Sequence, residues 1–503
     1  SELYYDAMRH NRSLFITALD FKNAFGSVMH EMIFQCLKEK GFPSDFINII
    51  RDIYTGSTTN IVTRRFFSKD IDIRKGTKQG CPVSPLLFNL CLEPLFNAIN
   101  RCNADDGYSI RSESGETRFN ILAYADDVLL ISESESGMNK LLRTCERFCS
   151  FSKMQLAPLK SCSIGYVWNN RNRTGLVNSF QLNNTDIPFV GLDKSVRYLG
   201  TPVAARKVTK LKVSSDYLTK TLEKITKIFE SELLTVQKLH AVRTFVFPAL
   251  DFILENGQLK IKHIEMIDHK IAAFINKEFK GNVPTAMKHC SWKDGGLSIP
   301  CLREKAEACR VKALVRMLTN KDVSIKILAE KMLEDERIIR CIDKNEDKST
   351  QSFLNWASDS PHERKGTNSL ANRARKSLKY LGLTLKESNM RSESSIEETE
   401  ETEVMSEGAN RDLHYSLSDV ELNNEITFNN SKKISLFITS SRRERWKSKS
   451  NQQSFHLHSL YTFHDNPLSN HYVVRQKYPI NDKFFRFAIR CRANLLGTPE
   501  FDE

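Results

Sequence analysis

A chain of 503 residues, 40% hydrophobic and 27% charged, is long enough to bury several cores, and its length points to roughly two to four domains. Its formal net charge of +13 favours a polyanionic partner, and basicity alone fits either a nucleic acid or an anionic membrane surface. No apolar stretch approaches the roughly 20 residues that cross a bilayer and no signal peptide opens the chain, so no membrane partner is expected.

Glu2 to Asn11 has the pattern of a helix end. Leu14-Phe15-Ile16-Thr17-Ala18-Leu19 is almost wholly apolar, the mark of a central strand, and it delivers Asp20 at its C-terminal end. Val28, Met32, Cys36 and Leu37 trace one helix face stopped by Gly41. Ser44 can cap a second helix with Phe46, Ile49, Ile50 and Ile53 inward, ending near Gly56. Alternation from Asn60 to Ile73 predicts a basic hairpin, with Arg64, Arg65 and Arg74 on and beside it. Lys78-Gln79-Gly80-Cys81-Pro82-Val83-Ser84-Pro85 is a Gly/Pro-punctuated loop that runs straight into a helix over 84–100. A polar loop is expected around Asp105 to Glu116.

The next stretch, Tyr124-Ala125-Asp126-Asp127, lies between the apolar runs 120–123 and 128–131. Each run has the length of a buried strand, so the whole predicts a β-hairpin with two adjacent carboxylates at its tip. Like charges this close raise each other's pKa and repel unless a cation joins them, and divalent magnesium, which takes oxygen ligands, meets that need. Taken alone the tetrapeptide also fits a solvated turn, because Asp is common in turns.

Met138 to Phe151 is helical in pattern and carries Cys145 and Cys149 one turn apart. The 12 cysteines include no C-x-x-C pair, so these two are expected to be core or free thiols in a reducing compartment, with neither a disulfide framework nor a complete zinc site. Lys160 to Gly165 and Arg197-Tyr198-Leu199-Gly200 follow; the latter alone has the look of an ordinary strand end. From about Ser214 the pattern turns helical, with Leu218, Leu222, Ile225 and Phe229 as an apolar stripe and Lys220, Lys224 and Lys227 on the opposite face. That row fits a phosphate-tracking surface or a plain solvated face. Helices are expected over 232–249, 262–279 and 303–319. Between Glu387 and Glu407 eight glutamates meet one arginine with little to bury, which predicts a disordered linker. Order should resume towards Leu436, where Trp446 sits in the basic run 442–449 and either packs on a helix or stacks a base. The stretch 483–494 is amphipathic and basic.

In order, a strand ending in Asp20, the Gln79-Gly80 loop before a helix and the Tyr124-Ala125-Asp126-Asp127 hairpin resemble motifs A, B and C of reverse transcriptases. Lys160 to Gly165 resembles motif D, keeping its lysine but with Ala157 where relatives show Asn, and 197–200 resembles the motif E hairpin that grips a primer end. Phe247 to Leu250, Ile264 to Phe279 and Asp294 to Pro300 together resemble the thumb of non-LTR retrotransposon reverse transcriptases, closest to the group with a restriction-like endonuclease; the last residues resemble the segment before that group's zinc knuckle.

This resemblance implies an α+β fold. It places a right-hand polymerase palm with residual fingers over 1–205, an all-α thumb over 206–345, a linker over 346–435 and a small basic helical region over 436–503. It implies an RNA-directed DNA polymerase acting in the nucleus on an RNA template, a DNA primer or target and dNTPs, with two Mg²⁺ ions or Mn²⁺ in their place. Asp20 and Asp126 would bridge the ions, Asp127 would support them, and the Phe21 carbonyl would complete the triphosphate metal site. Phe25 would gate the sugar. Gln79 and Gly80, with Tyr124 and Ala125, would line the nucleotide, Lys160 would protonate the leaving pyrophosphate, and Tyr198, Leu199 and Gly200 would hold the primer. Gly26 stands where relatives commonly have Asp, which implies altered local support. The opening at Ser1, with nineteen residues before Asp20, implies a fragment without upstream fingers that polymerises poorly by itself. Two alternatives are a catalytically silent nucleic-acid-binding module and a group II intron-type maturase, whose thumb differs.

Overall fold

The computed structural model describes residues 2–64, 66–169, 172–175, 179–191, 194–203, 213–256, 259–292, 296–340, 353–354, 369–388, 414–419, 424–428, 431–452, 486 and 489. The chain divides into two units, Ser1–Leu211 and Lys212–Glu503.

The first unit is built on a five-stranded sheet in the spatial order Ile121–Tyr124, Asp127–Ser132, Leu14–Leu19, Cys162–Asn169, Asn172–Gly175. Every pairing is antiparallel. The apolar run at 14–19 therefore lies centrally, as a strand buried on both faces must. Helices Ser84–Cys102 and Glu135–Ser152 contribute to the same core: Phe88, Leu92, Leu95 and Ile99 recur at helical spacing and are fully buried, and Leu141 and Leu142 join Phe15, Leu19 and Leu130 there. Each such side chain contributes roughly 1.5–3 kcal/mol on burial. Cys145 and Cys149 are part of this core, where burial pushes both thiols up.

One expectation fails here. The stretch 105–116 contains, beyond a short 3₁₀ turn, the hairpin Tyr108–Ser112 with Gly115–Phe119. Its polar composition hides two fully buried anchors, Tyr108 and Ile110, and the Tyr108 hydroxyl donates to Asp6 at 2.6 Å. The basic hairpin is present, as the pair Thr58–Thr59 with Ile71–Asp72 and the bridge of Val62 to Phe67.

In the second unit, helices Val213–Glu230, Thr235–Ala241, Phe247–Glu255 and Ile261–Glu278 share a core in which Ile225 and Phe229 meet Phe247, Leu250, Ile267 and Ile271. The continuous helix expected over 232–249 is interrupted by a π turn at Val242–Val246. Pro248 has no N–H to give the fourth carbonyl back and its ring crowds it, so the preceding turn widens. The expected turn 294–300 lies partly outside the described residues; within it Gly296 is required, since a Cβ there would stand 2.4 Å from the Cys290 carbonyl oxygen.

The span 346–435 is not linker throughout. Helix Leu370–Leu381, capped by the Ser369 hydroxyl, leads through Gly382 (φ 62°) into an antiparallel sheet of Leu383–Ser388, His414–Asp419 and Asn424–Phe428. Leu378, Leu385 and Leu417 share a second core with Val311, Leu314 and Phe437. The acidic composition around 387–407 masks the apolar alternation beside it, and 389–413 lies outside the described residues. Helix Ser431–Gln452 uses part of its basic run internally: Arg445 bonds Asp419 and the Gly382 carbonyl, Arg442 pairs with Glu304, and the Trp446 indole donates to Glu304 at 3.2 Å. Trp446 is thus a packing residue. Of the stretch 483–494 only Arg486 and Ile489 are described; Ile489 is fully buried in the core around Phe247, and Arg486 donates to Thr235. Among the described residues no helix is long and apolar enough to cross a membrane.

Candidate active site

The central strand and its neighbour end together. Leu19 lies opposite Val128, so Asp20 and Asp127 continue the same register to one end of the sheet. Tyr124 pairs with Asp127, which leaves Ala125-Asp126 as a two-residue turn. Ala125 has φ 52°. Positive φ at the first turn position is the II′ arrangement that favours glycine, and an alanine there costs about 1–2 kcal/mol. Its packing against the core helps to hold the strained turn.

Asp127 lies within electrostatic reach of both Asp126 and Asp20. Its pKa is raised, first by partial desolvation and then by the negative charges of Asp126 and Asp20. Among the described residues no cation pairs with any of the three.

Asp20 is clamped by the segment 155–161. Its N–H donates to the Ser161 hydroxyl at 3.1 Å, and its carbonyl accepts from Ala157 at 2.8 Å. Ser161 is 2% exposed and donates in turn to the Ala157 carbonyl. The contact made at position 157 is a backbone one, so alanine there serves it as well as asparagine would. Buried Phe21 bridges Leu156, but that ladder uses the Asp20 carbonyl and the Lys22 N–H, so the Phe21 carbonyl takes no part in it. Lys160 is exposed on the same segment.

The glycine loop is stitched to the residues after Asp20. Thr77 donates its N–H to the Phe25 carbonyl at 2.8 Å, and Gly76 donates to Val28 at 2.7 Å. A Cβ on Gly76 would lie 3.1 Å from the Gly26 Cα, so two glycines let the backbones pass closely, and a Cβ on Gly26 would meet the Asn23 side chain at 2.4 Å. Phe25 is half-buried and stacks on Phe88 with ring centroids 4.3 Å apart. Ser84 donates to the Lys78 carbonyl at 2.7 Å, while Gln79 and Gly80 stand exposed. Gly80 has φ +86° and open space around its missing Cβ.

Tyr198 reaches the carboxylate hairpin: its hydroxyl donates to the Asp127 carbonyl at 3.2 Å. Burial, then the Asp127 charge, pushes that hydroxyl's pKa up to about 12. Leu199 and Gly200, both at positive φ, form the turn that joins Val196–Tyr198 to Thr201–Val203. Tyr124 is 69% exposed. Lys220, Lys224 and Lys227 belong to the other unit and are exposed, with Lys224 donating to the Phe245 carbonyl at 2.7 Å. Arg12 is engaged elsewhere, by the Ser109 carbonyl, Glu133 and the Tyr108 ring. Sequence reasoning missed Ser161 and Thr77, single hydroxyl residues that carry no periodic signal.

An antiparallel sheet that gathers three carboxylates free of ion pairs at one end, beside a glycine loop, has the architecture of a polymerase palm. Residues 4–203 match the reverse transcriptase (RNA-dependent DNA polymerase) family, and the chain is similar to Pol polyproteins of R2 retrotransposable elements. It is 28% identical over 340 residues to the Pol polyprotein of the type-2 retrotransposable element R2DM of Drosophila melanogaster, covering 66% of this chain and 31% of that protein. It is 29% identical over 301 residues to a Pol polyprotein of the type-1 element R2 of Popillia japonica, covering 58% and 48%. The chain thus spans less than half of these relatives' length. Telomerase from Candida albicans aligns over 65% of this chain and 53% of its own at 9% identity and a TM-score of 0.27, too distant to bear on the argument.

Proposed function

We propose that this chain is the polymerase core of a retrotransposon protein, extending a DNA primer along the element's RNA with dNTPs. The observation that carries it is that the sheet register brings Asp20, Asp126 and Asp127 to one end, near enough for Asp126 and Asp20 to act on Asp127, inside the region that matches the family. Such a set of hard oxygen donors fits Mg²⁺, or Mn²⁺, better than any softer metal. Asp20 and Asp126 would hold two ions, with Asp127 and the Phe21 carbonyl in support. When bound, such ions stabilise the attacking and leaving oxygens of an in-line displacement at phosphorus.

The protein's own groups do the positioning. Phe25, propped from behind by Phe88, offers a ring against the sugar of the incoming nucleotide. Gly80 lets the backbone beside Gln79 approach that nucleotide, Tyr124 and Ala125 complete the pocket, and Lys160 supplies a proton to pyrophosphate. The Tyr198-Leu199-Gly200 turn sets the primer end against the carboxylates through the Tyr198 bond. A nicked genomic primer, a nuclear site of action and a place among the elements with a restriction-like endonuclease complete the reading.

The test is primer extension on an annealed RNA template with Mg²⁺. Asp126→Asn should lower turnover by a hundredfold or more, on the order of other losses of transition-state charge stabilisation. RNA affinity should change by less than about twofold, because the position is not a phosphate contact. Extension within a few-fold of the parent would overturn the assignment.

A further inference from the structure

Between helix Ser44–Tyr54 and the glycine loop, the chain makes a hairpin that buries neither face. Every described residue from Thr58 to Lys75 is exposed except Ser68. Its strand ladder is short, the pairs Thr58–Asp72 and Thr59–Ile71 and the bridge Val62–Phe67, with the Thr63 N–H donating to the Phe66 carbonyl, the Ser68 N–H to the Ile61 carbonyl and the Asn60 amide to the Ser68 carbonyl. A lone two-stranded hairpin is marginal in water. This one nonetheless displays Ile61, Val62, Phe66, Phe67, Ile71 and Ile73, with Phe67 74% and Phe66 58% exposed. So much apolar surface in so short a segment marks a binding face.

The chemistry of the occupant follows from the charge. Residues 58–75 hold Arg64, Arg65, Lys69, Arg74 and Lys75 against Asp70 and Asp72. Both acids are bonded within the hairpin, Asp70 to Asn60 at 2.6 Å and Asp72 to Arg74 at 3.2 Å. A basic rim would repel a basic partner and does nothing for a neutral one. Rings interleaved with cations suit a single strand, whose bases stack on the rings while its phosphates meet the cations. Phe67 lies cross-strand from Val62, and Phe66 stands beside it outside the ladder, its N–H donating to the Thr63 hydroxyl at 3.1 Å.

The base of the hairpin fixes its direction. Lys75 bridges Met29, His30 donates its N–H to the Arg74 carbonyl, and one residue further Gly76 and Thr77 bond Val28 and Phe25. The hairpin therefore springs from the segment that carries Phe25. We propose that it holds unpaired RNA template next to the nucleotide site, with Phe66 and Phe67 as stacking platforms and Arg64 and Lys69 as phosphate contacts. The identity of the strand as template rests on the polymerase reading above; the single-strand surface does not.

The experiment measures anisotropy of a labelled unstructured 20-nucleotide RNA, and of an RNA–DNA duplex of equal length, on the full chain over a range of salt. Phe66→Ser with Phe67→Ser should weaken single-strand binding about tenfold or more at unchanged salt slope, since stacking is sequence- and salt-tolerant, and leave duplex binding within about twofold. Arg64→Gln with Lys69→Gln should lower the single-strand slope by roughly 1.4, about 0.7 for each contact. Phe66→Trp with Phe67→Trp keeps the rings and should retain binding, which guards against a serine variant that merely misfolds. The same dependence on the rings in an Asp126→Asn background, with no turnover, keeps failure of the polymerase reading separate. Parent-like RNA binding by the serine variant would overturn the proposal. If sedimentation then showed the parent self-associated and the variant monomeric, the face would be a protein interface.

Discussion

Asp127 is where the site's electrostatics cost the fold something. Its pKa is raised in the folded protein, by desolvation first and then by Asp126 and Asp20. An acid raised on folding destabilises the folded state while it is ionised, in full above the raised value, less as pH falls through it, and not at all below the unfolded value. Asp127→Asn should therefore raise the melting temperature at neutral pH, and the gain should vanish as pH falls through the acidic range. The side chain is exposed and water screens it, so the rise should be on the order of a degree or two. Mg²⁺ should narrow the difference by stabilising the parent more. A variant whose advantage persisted at low pH would place the effect in packing instead. The three carboxylates were legible because each sits at the end of an unmistakable apolar run, whereas the partners of Asp20 were not. Ser161 is one hydroxyl in a loop, and only the fold brings its Oγ to the Asp20 N–H.

At the scale of elements, the segment 155–161 acts as a brace for the strand end, and its strength is concentrated in Ser161. That hydroxyl accepts from Asp20 and donates to Ala157 while 2% exposed. Removing it leaves a buried N–H without its partner, which costs about 1–3 kcal/mol. Ser161→Ala should lower stability by that amount and lower primer-extension turnover several-fold without weakening RNA binding, because the brace positions a carboxylate and touches no phosphate. Loss of stability with turnover untouched would make the brace purely structural. Strong periodicity made the central strand, the carboxylate hairpin and the helices at 84–102 and 261–278 readable. Elements set by one residue or by distant pairing were not: Pro248 widens a helical turn, Tyr108 converts a polar stretch into a hairpin by reaching Asp6, and the sheet at 383–428 pairs strands across an acidic insertion that dominates the local composition. In each case a tertiary contact or a single backbone constraint outweighs the compositional average.

For the whole molecule, the net charge of +13 states that a polyanion binds but not where, and only placement can decide it. Helix Val213–Glu230 turns Ile225 and Phe229 into its core and leaves Lys220, Lys224 and Lys227 in water. Three cations on one face can meet successive phosphates, and each contact on a duplex contributes about 0.9 to the fall of log affinity with log salt. Lys224 also donates to the Phe245 carbonyl, which tethers its ammonium without neutralising it. Replacing the three with glutamine should flatten the duplex slope by roughly 2–3. The same change of net charge at Lys321, Lys376 and Lys386, exposed lysines elsewhere in the unit, should leave the slope within about 0.5 of the parent if contact and not total charge governs binding. Equal flattening by both sets would mean that the protein attracts nucleic acid through its overall field. An unchanged slope in the first set alone would return Lys220, Lys224 and Lys227 to an ordinary solvated face, and the phosphate track would have to lie on another surface.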